Sequence, residues 1–250
     1  AMLLIGGASW WLSGLAIQPI YQSYQQIQQF TADAAHELRT PLAASQATVE
    51  SALLMPELDE KEAREILRTI DRQNRRLTQL VVDLLLLARM DHQPIADRPQ
   101  LCCLNDLVSD LVEELAAMAI ASGVALTAEL QVKQLLNVVG NSDQLYRLVA
   151  NLIVNAIQYT PAGGKVTVIL DCTHTEAIIQ VQDTGIGIGA IEQKRIFDRF
   201  YRVNSDRSRH TGGSGLGLAI AQTIARAHRG SLTARSELGC GATFLLRLPL

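Results

Sequence analysis

Two long apolar stripes at helical spacing constrain the fold of this chain more than any other feature. Apolar and small side chains recur at steps of three and four residues, first over residues 27–52 and again over residues 66–88, as in amphipathic helices. The first stripe comprises Ile27, Phe30, Ala34, Leu38, Leu42, Ser45, Val49 and Ala52, and the second comprises Ile66, Ile70, Leu77, Leu80, Val81, Leu84, Leu87 and Ala88. Because a two-helix hairpin cannot bury two such stripes alone, we expect an antiparallel hairpin that dimerises into a four-helix bundle.

The residues before this hairpin carry no charge. No charged side chain occurs before Asp33, and residues 2–17 are almost wholly apolar. A helix needs about 20 apolar residues to cross a bilayer, so we expect residues 1–18 to be the end of a transmembrane helix that places the protein at the cell membrane. A secretory signal is a competing interpretation, although the segment lacks a basic start and a small-residue cleavage site. The other alternative is an apolar helix that pairs with its copy in a dimer.

Beyond the hairpin the pattern changes. Residues 93–100 contain two prolines and no periodicity, which indicates a linker. In residues 101–250 we predict helices from Asn105, over 142–159 and over 216–227, and strands after Gly123 and over 165–171, 177–183, 231–236 and 242–248. The predicted fold class is therefore α+β multidomain, with a helical hairpin over residues 19–92 followed by an α/β sandwich domain.

The net charge argues against nucleic-acid binding, and the cysteine spacing argues against a zinc site and a disulfide framework. The formal net charge is −3, so the whole chain offers no excess of basic residues, and we expect no nucleic-acid partner. The four cysteines show no C-x-x-C spacing and two of them are adjacent. This arrangement suits neither a zinc site nor a disulfide framework.

The first helix carries one histidine, outside its apolar stripe. His36 therefore faces solvent or a docking partner. Glu37 can hydrogen-bond one ring nitrogen, which fixes the tautomer and makes the other nitrogen a better nucleophile. Thr40 shares the helix face of His36, and Pro41 predicts a bend because it cannot donate to the carbonyl of Glu37. A lone exposed histidine is commonly inert; these three neighbours weaken that interpretation but do not exclude it.

Residues 36–42, His-Glu-Leu-Arg-Thr-Pro-Leu, resemble the phosphoacceptor box of the commonest class of sensor histidine kinases. The C-terminal half resembles the ATP-binding domain of the same family through four further boxes. These are the N box at 151–156 and 159–161, the first glycine box at 183–188, the F box at 196–202 and the second glycine box at 213–218. One glycine-rich string is weak evidence, but five boxes in order imply a Bergerat-type domain that uses ATP and Mg²⁺.

The N box and the strand after it supply polar side chains. Asn151 and Asn155 share one predicted helix face, and a carboxamide oxygen suits a Mg²⁺ ion that also keeps waters and substrate phosphates as ligands. The resemblance assigns the metal contact to Asn155 and places Asn151 nearer the phosphates. It assigns adenine recognition to Asp183, because a carboxylate can accept from an exocyclic amine. The flat ring of Tyr159 can pack against the base.

Two sets of glycines bracket a polar segment, residues 190–211. Gly185 and Gly187 allow the backbone to approach the nucleotide closely. The second set leads into a helix whose N-terminal amides can hold phosphate oxygens; it comprises Gly213, Gly215 and Gly217, and the resemblance adds Leu216 between the last two. Isolated glycines would indicate ordinary turns, but the segment between the sets is long enough for a mobile lid. Four of its arginines either neutralise the triphosphate or lie in a solvated loop; they are Arg199, Arg202, Arg207 and Arg209.

The resemblance implies a protein histidine kinase with its catalytic portion in the cytoplasm. His36 would take the γ-phosphoryl group of ATP with Glu37 as general base, and would pass it to an aspartate of a response regulator. Thr40, with Glu37, resembles the arrangement that orients water to dephosphorylate the regulator. Two alternatives stay open. One is an ATP-driven conformational ATPase, disfavoured because Asn151 stands where its catalytic glutamate would be, and the other is a non-catalytic signalling scaffold.

Overall fold

The computed structural model describes residues 2–55, 58–92, 100–132, 134–203 and 214–250. The chain forms two compact units, Ala1–Leu80 and Val81–Leu250. Several sequence predictions lie outside the described residues, namely those for Gly213, Arg207, Arg209 and residues 93–99 of the linker.

The predicted helical hairpin is confirmed. Helix α1 spans Met2–Leu53 and helix α2 spans Glu60–His92. Asp59 Oδ1 accepts from the N–H of Glu62 at 2.6 Å, and Glu62 Oε2 accepts from the N–H of Asp59 at 3.3 Å. This reciprocal capping box fixes the start of α2. Among the described residues, no helix offers an apolar stretch of the length that a bilayer requires.

The second unit contains the predicted α/β sandwich. Its helices are α3 (Leu104–Ala121), α4 (Ser142–Tyr159) and α5 (Gly217–Ala227), with a 3₁₀ helix at Glu192–Lys194. Its strands are β1 (Gln100–Cys103), β2 (Ala125–Leu130), β3 (Asn137–Gly140), β4 (Lys165–Cys172), β5 (Glu176–Asp183), β6 (Ser231–Ser236) and β7 (Ala242–Pro249). The sequence pattern predicts all of these strands except β1 and β3, because four residues are too few for an alternation to stand out.

Five strands form one sheet in the order β2-β4-β5-β7-β6, in which β2 and β4 are parallel and the other pairs are antiparallel. Strands β1 and β3 form a separate antiparallel pair. Alternate residues of β5 are buried, as expected for a strand with one face on the core. Helices α3, α4 and α5 contact this sheet. The core between the layers includes Ile153, Ile179, Val181, Phe244 and Leu246.

Helix α4 positions polar side chains because its faces differ. Its start is capped by Asn141, whose Oδ1 accepts from the N–H of Gln144 at 3.0 Å. One face buries seven apolar side chains, which are Leu145, Leu148, Val149, Leu152, Ile153, Ala156 and Ile157. A second row, at steps of four residues, comprises Arg147, Asn151, Asn155 and Tyr159.

Candidate functional site

The two asparagines of the N box lie one turn apart on α4, and both are half-buried. Asn151 Nδ2 donates a hydrogen bond to the carbonyl oxygen of Gly217 at 3.1 Å, which ties α4 to the first residue of α5. The side chain of Asn155 makes no hydrogen bond to another described residue. Its carboxamide oxygen is therefore available, and an oxygen donor of this kind fits Mg²⁺.

The second glycine box leads into α5. The N–H of Leu216 donates to Ser214 Oγ at 3.3 Å. Gly215 has a φ of +71°, and a Cβ there would lie 2.9 Å from the carbonyl carbon of Phe200, so only glycine fits. The N–H of Phe200 donates to the carbonyl of Gly215 at 3.0 Å. The F box and the second glycine box therefore meet, while Gly213 lies outside the described residues.

Asp183 ends β5 and is half-buried. Its Oδ1 accepts two backbone hydrogen bonds, from the N–H of Gly185 at 2.9 Å and from the N–H of Ala242 at 3.1 Å. Burial raises the pKa of this carboxyl group, and the two N–H donors offset part of the rise. Within the described part of the chain, Oδ2 has no hydrogen-bond donor. This second oxygen is available to accept from a ligand amine.

The first glycine box is held tightly by the protein's own backbone. A Cβ at Gly185 would lie 2.4 Å from the carbonyl oxygen of Tyr159, and the N–H of Ile186 donates to the same oxygen at 3.2 Å. Gly187 has a φ of +70°, and a Cβ there would lie 2.0 Å from the carbonyl oxygen of Glu237. Glycine at both positions lets this loop close against the end of α4 and against the turn between β6 and β7.

Tyr159 is the last residue of α4, and Arg202 lies within the predicted lid, residues 190–211. Tyr159 is 37% exposed at the end of α4, and stacking of its ring on the base stays a prediction. Arg202 is half-buried and is followed by one described residue, Val203, before the undescribed residues 204–213. The lid, with Arg207 and Arg209, therefore also stays a prediction.

His36 is exposed on α1, in agreement with its position outside the apolar stripe. Glu37 is half-buried and Thr40 is exposed. Thr40 Oγ1 donates to the carbonyl oxygen of His36 at 3.2 Å, which is the back-bonding that threonine commonly makes within a helix. The helix continues through Pro41, whose side chain is buried. The chemical roles of Glu37 and Thr40 stay predictions.

The turn between β6 and β7 belongs to the site but carries no sequence prediction. Ala242, at its end, supplies the second N–H to Asp183. Strand pairing explains this contact, because the register that places Gln182 opposite Thr243 brings Ala242 beside Asp183. Gly239 and Gly241 both have positive φ, +79° and +81°. This G-x-G turn between two strands is the sequence signal that points to the turn.

Two family models match the chain. The model of the His Kinase A (phospho-acceptor) domain matches residues 26–93, which include the exposed His36. The model of the histidine kinase-, DNA gyrase B-, and HSP90-like ATPase matches residues 140–250, which include Asn155 and Asp183. The chain belongs to the sensor histidine kinases, with both of these domains.

Among curated proteins, the chain is similar to the sensor histidine kinase RppB of Synechocystis sp. The two are 56% identical over 250 residues, which are 100% of this chain and 55% of RppB. The chain therefore spans about half the length of this relative.

Solved structures of histidine kinases share the fold. AdeS of Acinetobacter baumannii matches with a TM-score of 0.68 at 21% identity, over 86% of this chain and 97% of AdeS. ThkA, solved in complex with the response regulator protein TrrA, matches with a TM-score of 0.68 at 19% identity, over 88% of this chain and 61% of ThkA. These likenesses confirm a helical hairpin followed by an α/β ATPase domain.

Proposed function

We propose that this chain is an ATP-dependent protein histidine kinase that phosphorylates His36 and passes the phosphoryl group to an aspartate of a response regulator. One observation carries the proposal: a phosphoacceptor domain with an exposed His36 and an ATPase domain with a polar site around Asn155 and Asp183 occur in one chain. The complex of ThkA with a response regulator supports the same type of partner.

ATP would bind through groups on α4, β5 and α5. The free oxygen of Asp183 accepts from the exocyclic amine of adenine, and the first amides of α5 hold phosphate oxygens. Asn155 contributes a carboxamide oxygen to Mg²⁺, which supplies charge neutralisation at the phosphates when bound. The bond from Asn151 to Gly217 keeps α4 next to the start of α5, so the groups for metal and phosphate keep a fixed spacing.

The transfer itself demands little covalent chemistry from the ATPase domain. One ring nitrogen of His36 attacks the γ-phosphorus in line, the phosphorus–nitrogen bond forms as the bond to the bridging oxygen breaks, and ADP leaves. Glu37 accepts the proton from the other ring nitrogen. The phosphohistidine then transfers its phosphoryl group to the regulator's aspartate. Thr40 with Glu37 orients the water that hydrolyses this aspartyl phosphate and releases inorganic phosphate in the opposing phosphatase activity.

A second copy of the chain is the proposed partner in the four-helix bundle. Two members of the first apolar stripe stay exposed on the single chain, Leu42 at 51% and Val49 at 40%. Pairing with another hairpin would bury them. Attachment to the cell membrane, with the catalytic portion in the cytoplasm, stays a prediction, and cell fractionation checks it.

The conformational ATPase is the second candidate. Asn151 argues against it, because a carboxamide cannot take a proton from water as a glutamate would. Its Nδ2 is already bonded to the carbonyl of Gly217. The signalling scaffold is the third candidate, and it differs from both others in predicting no turnover of ATP.

Phosphorylation with γ-labelled ATP and Mg²⁺ tests the proposal. We expect acid-labile, base-stable label on the full chain, lost in His36→Gln and retained in His174→Gln, a control at another exposed histidine. Steady release of phosphate without labelled protein would favour the conformational ATPase. Nucleotide binding with neither label nor phosphate release would favour the scaffold.

A further inference from the structure

The hydroxyl group of Ser236 joins the two segments that each supply a backbone hydrogen bond to Asp183. Ser236 Oγ accepts from the N–H of Ile188 at 2.8 Å and donates to the carbonyl oxygen of Gly241 at 2.6 Å. Ile188 belongs to the loop of the first glycine box, and Gly241 belongs to the β6–β7 turn. A single hydroxyl thus uses its donor and an acceptor position to link loop and turn.

Gln193, in the 3₁₀ helix, strengthens the same connection. Its Nε2 donates to the carbonyl oxygen of Ile188 at 3.0 Å and to the carbonyl oxygen of Ser236 at 2.7 Å. A further bond runs from the N–H of Gly239 to the carbonyl oxygen of Ile186 at 2.9 Å. The loop and the turn are therefore held together by both side chains and by backbone.

Asp183 takes one hydrogen bond from each of these segments. Gly185 N–H comes from the loop and Ala242 N–H follows the turn directly, and both reach Oδ1. The distance between these two N–H groups sets the position of Oδ1 and the orientation of the whole carboxylate. It therefore also sets the direction in which Oδ2 points. Resting on the proposed function, in which Asp183 accepts from adenine, we propose that Ser236 is a positioning residue for adenine recognition. It acts through the backbone and touches no nucleotide atom itself.

Loss of the hydroxyl should weaken adenine binding specifically. Ser236→Ala leaves the N–H of Ile188 and the carbonyl of Gly241 without this partner, so loop and turn can separate. We expect the Kd for ADP to rise about tenfold. The rate of His36 phosphorylation at saturating ATP should change little, because the hydrogen bonds of the Ser236 hydroxyl go to Ile188 and Gly241 and not to Asn155.

Calorimetric titration of the full chain with ADP and with IDP separates positioning from general support. IDP lacks the exocyclic amine that Asp183 accepts from, so its affinity should be nearly the same in wild type and Ser236→Ala. Ser236→Thr keeps the hydroxyl and should restore ADP binding. Ser231→Ala, at the exposed first residue of the same strand, is the matched control and should bind ADP as wild type does.

Two results would overturn the inference: unchanged ADP affinity in Ser236→Ala, or an equal loss for ADP and IDP. If Ser236→Ala does not fold, Gln193→Leu replaces it, because this variant removes two hydrogen bonds between the loop and the turn. Its affinities for ADP and IDP are then compared in the same way. Failure of the proposed function looks different, because the wild-type chain would then bind no ADP or leave His36 unlabelled.

Discussion

Asp83 on α2 and Arg147 on α4 form an ion pair between carboxylate Oδ1 and guanidinium Nη2. Both residues belong to the compact unit Val81–Leu250. The Asp83 side chain is 10% exposed and the Arg147 side chain 26% exposed, so the pair is largely withdrawn from water. Arg147 precedes Asn151 by one turn, and the pair therefore fastens the helix that carries the N box to the last turns of α2.

Asp83→Ala should lower the free energy of unfolding by about 2 kcal/mol, because the guanidinium would stay largely buried without this carboxylate. Urea denaturation measures the change. The exposed pair of Arg75 and Asp71, with side chains 81% and 60% exposed, is the control. Asp71→Ala should cost less than about 0.5 kcal/mol, and equal losses for the two variants would contradict the role of burial.

Local patterns account for much of the fold. The three-and-four periodicity predicts the stripes of α1 and α2, and the predicted helix over residues 142–159 agrees with α4. The predicted strand over 177–183 agrees with β5, at whose end Asp183 stands. These elements are predictable because helical and strand periodicities are properties of neighbouring residues.

The contacts that the β6–β7 turn and its flanking residues make in the site depend on strand order instead. Ala242 reaches Asp183 because β7 pairs with β5, and Ser236 reaches Ile188 across 48 residues of sequence. Periodicity within a strand does not specify which strand lies beside it. The contacts of the β6–β7 turn, and the pair of Asp83 with Arg147, therefore required the structure.

Asp183→Asn should keep the fold and lose nucleotide affinity. The amide oxygen can still accept from the N–H groups of Gly185 and Ala242, whereas the amide nitrogen would present a donor to the donor amine of adenine. We expect the Kd for ADP to rise about 10- to 100-fold, measured by calorimetric titration. Unchanged affinity would exclude Asp183 from adenine recognition.

The same variant also tests the burial of charge at Asp183. Because the folded-state pKa of this carboxyl is raised, folding becomes less favourable as pH rises from the unfolded value, about 3.9, through the folded value. A neutral asparagine removes this penalty. The Tm of Asp183→Asn should therefore equal or exceed that of wild type at pH 7, with the difference shrinking toward pH 4. A difference that grows on acidification would contradict burial as the cause of the shift.

Gly187 should tolerate a side chain worse than Gly239 does. Both have positive φ, +70° and +79°, but an added Cβ meets the carbonyl oxygen of Glu237 at 2.0 Å only in the first case; at Gly239 it meets nothing within 4 Å. Gly239→Ala should cost about 1 kcal/mol from backbone conformation, and Gly187→Ala about 1–3 kcal/mol more from the clash. Thermal unfolding compares the two, and equal costs would rule out the close approach of loop and turn.

Asn155→Ala should separate nucleotide binding from metal binding. No described residue hydrogen-bonds the carboxamide of Asn155, so its removal takes away a Mg²⁺ ligand without breaking a hydrogen bond of the protein. We expect wild type to bind ATP more tightly with Mg²⁺ than with EDTA, and Asn155→Ala to lose that difference while its Tm stays close to wild type. Phosphorylation of His36 should fall about 100-fold or more, as when a preorganised electrostatic group is deleted.

Gln158→Ala, at a half-buried residue on the same helix, is the control and should keep the Mg²⁺ effect. If Asn155→Ala retained it, the metal would have to be held by other residues, and the assignment of Asn155 would be wrong.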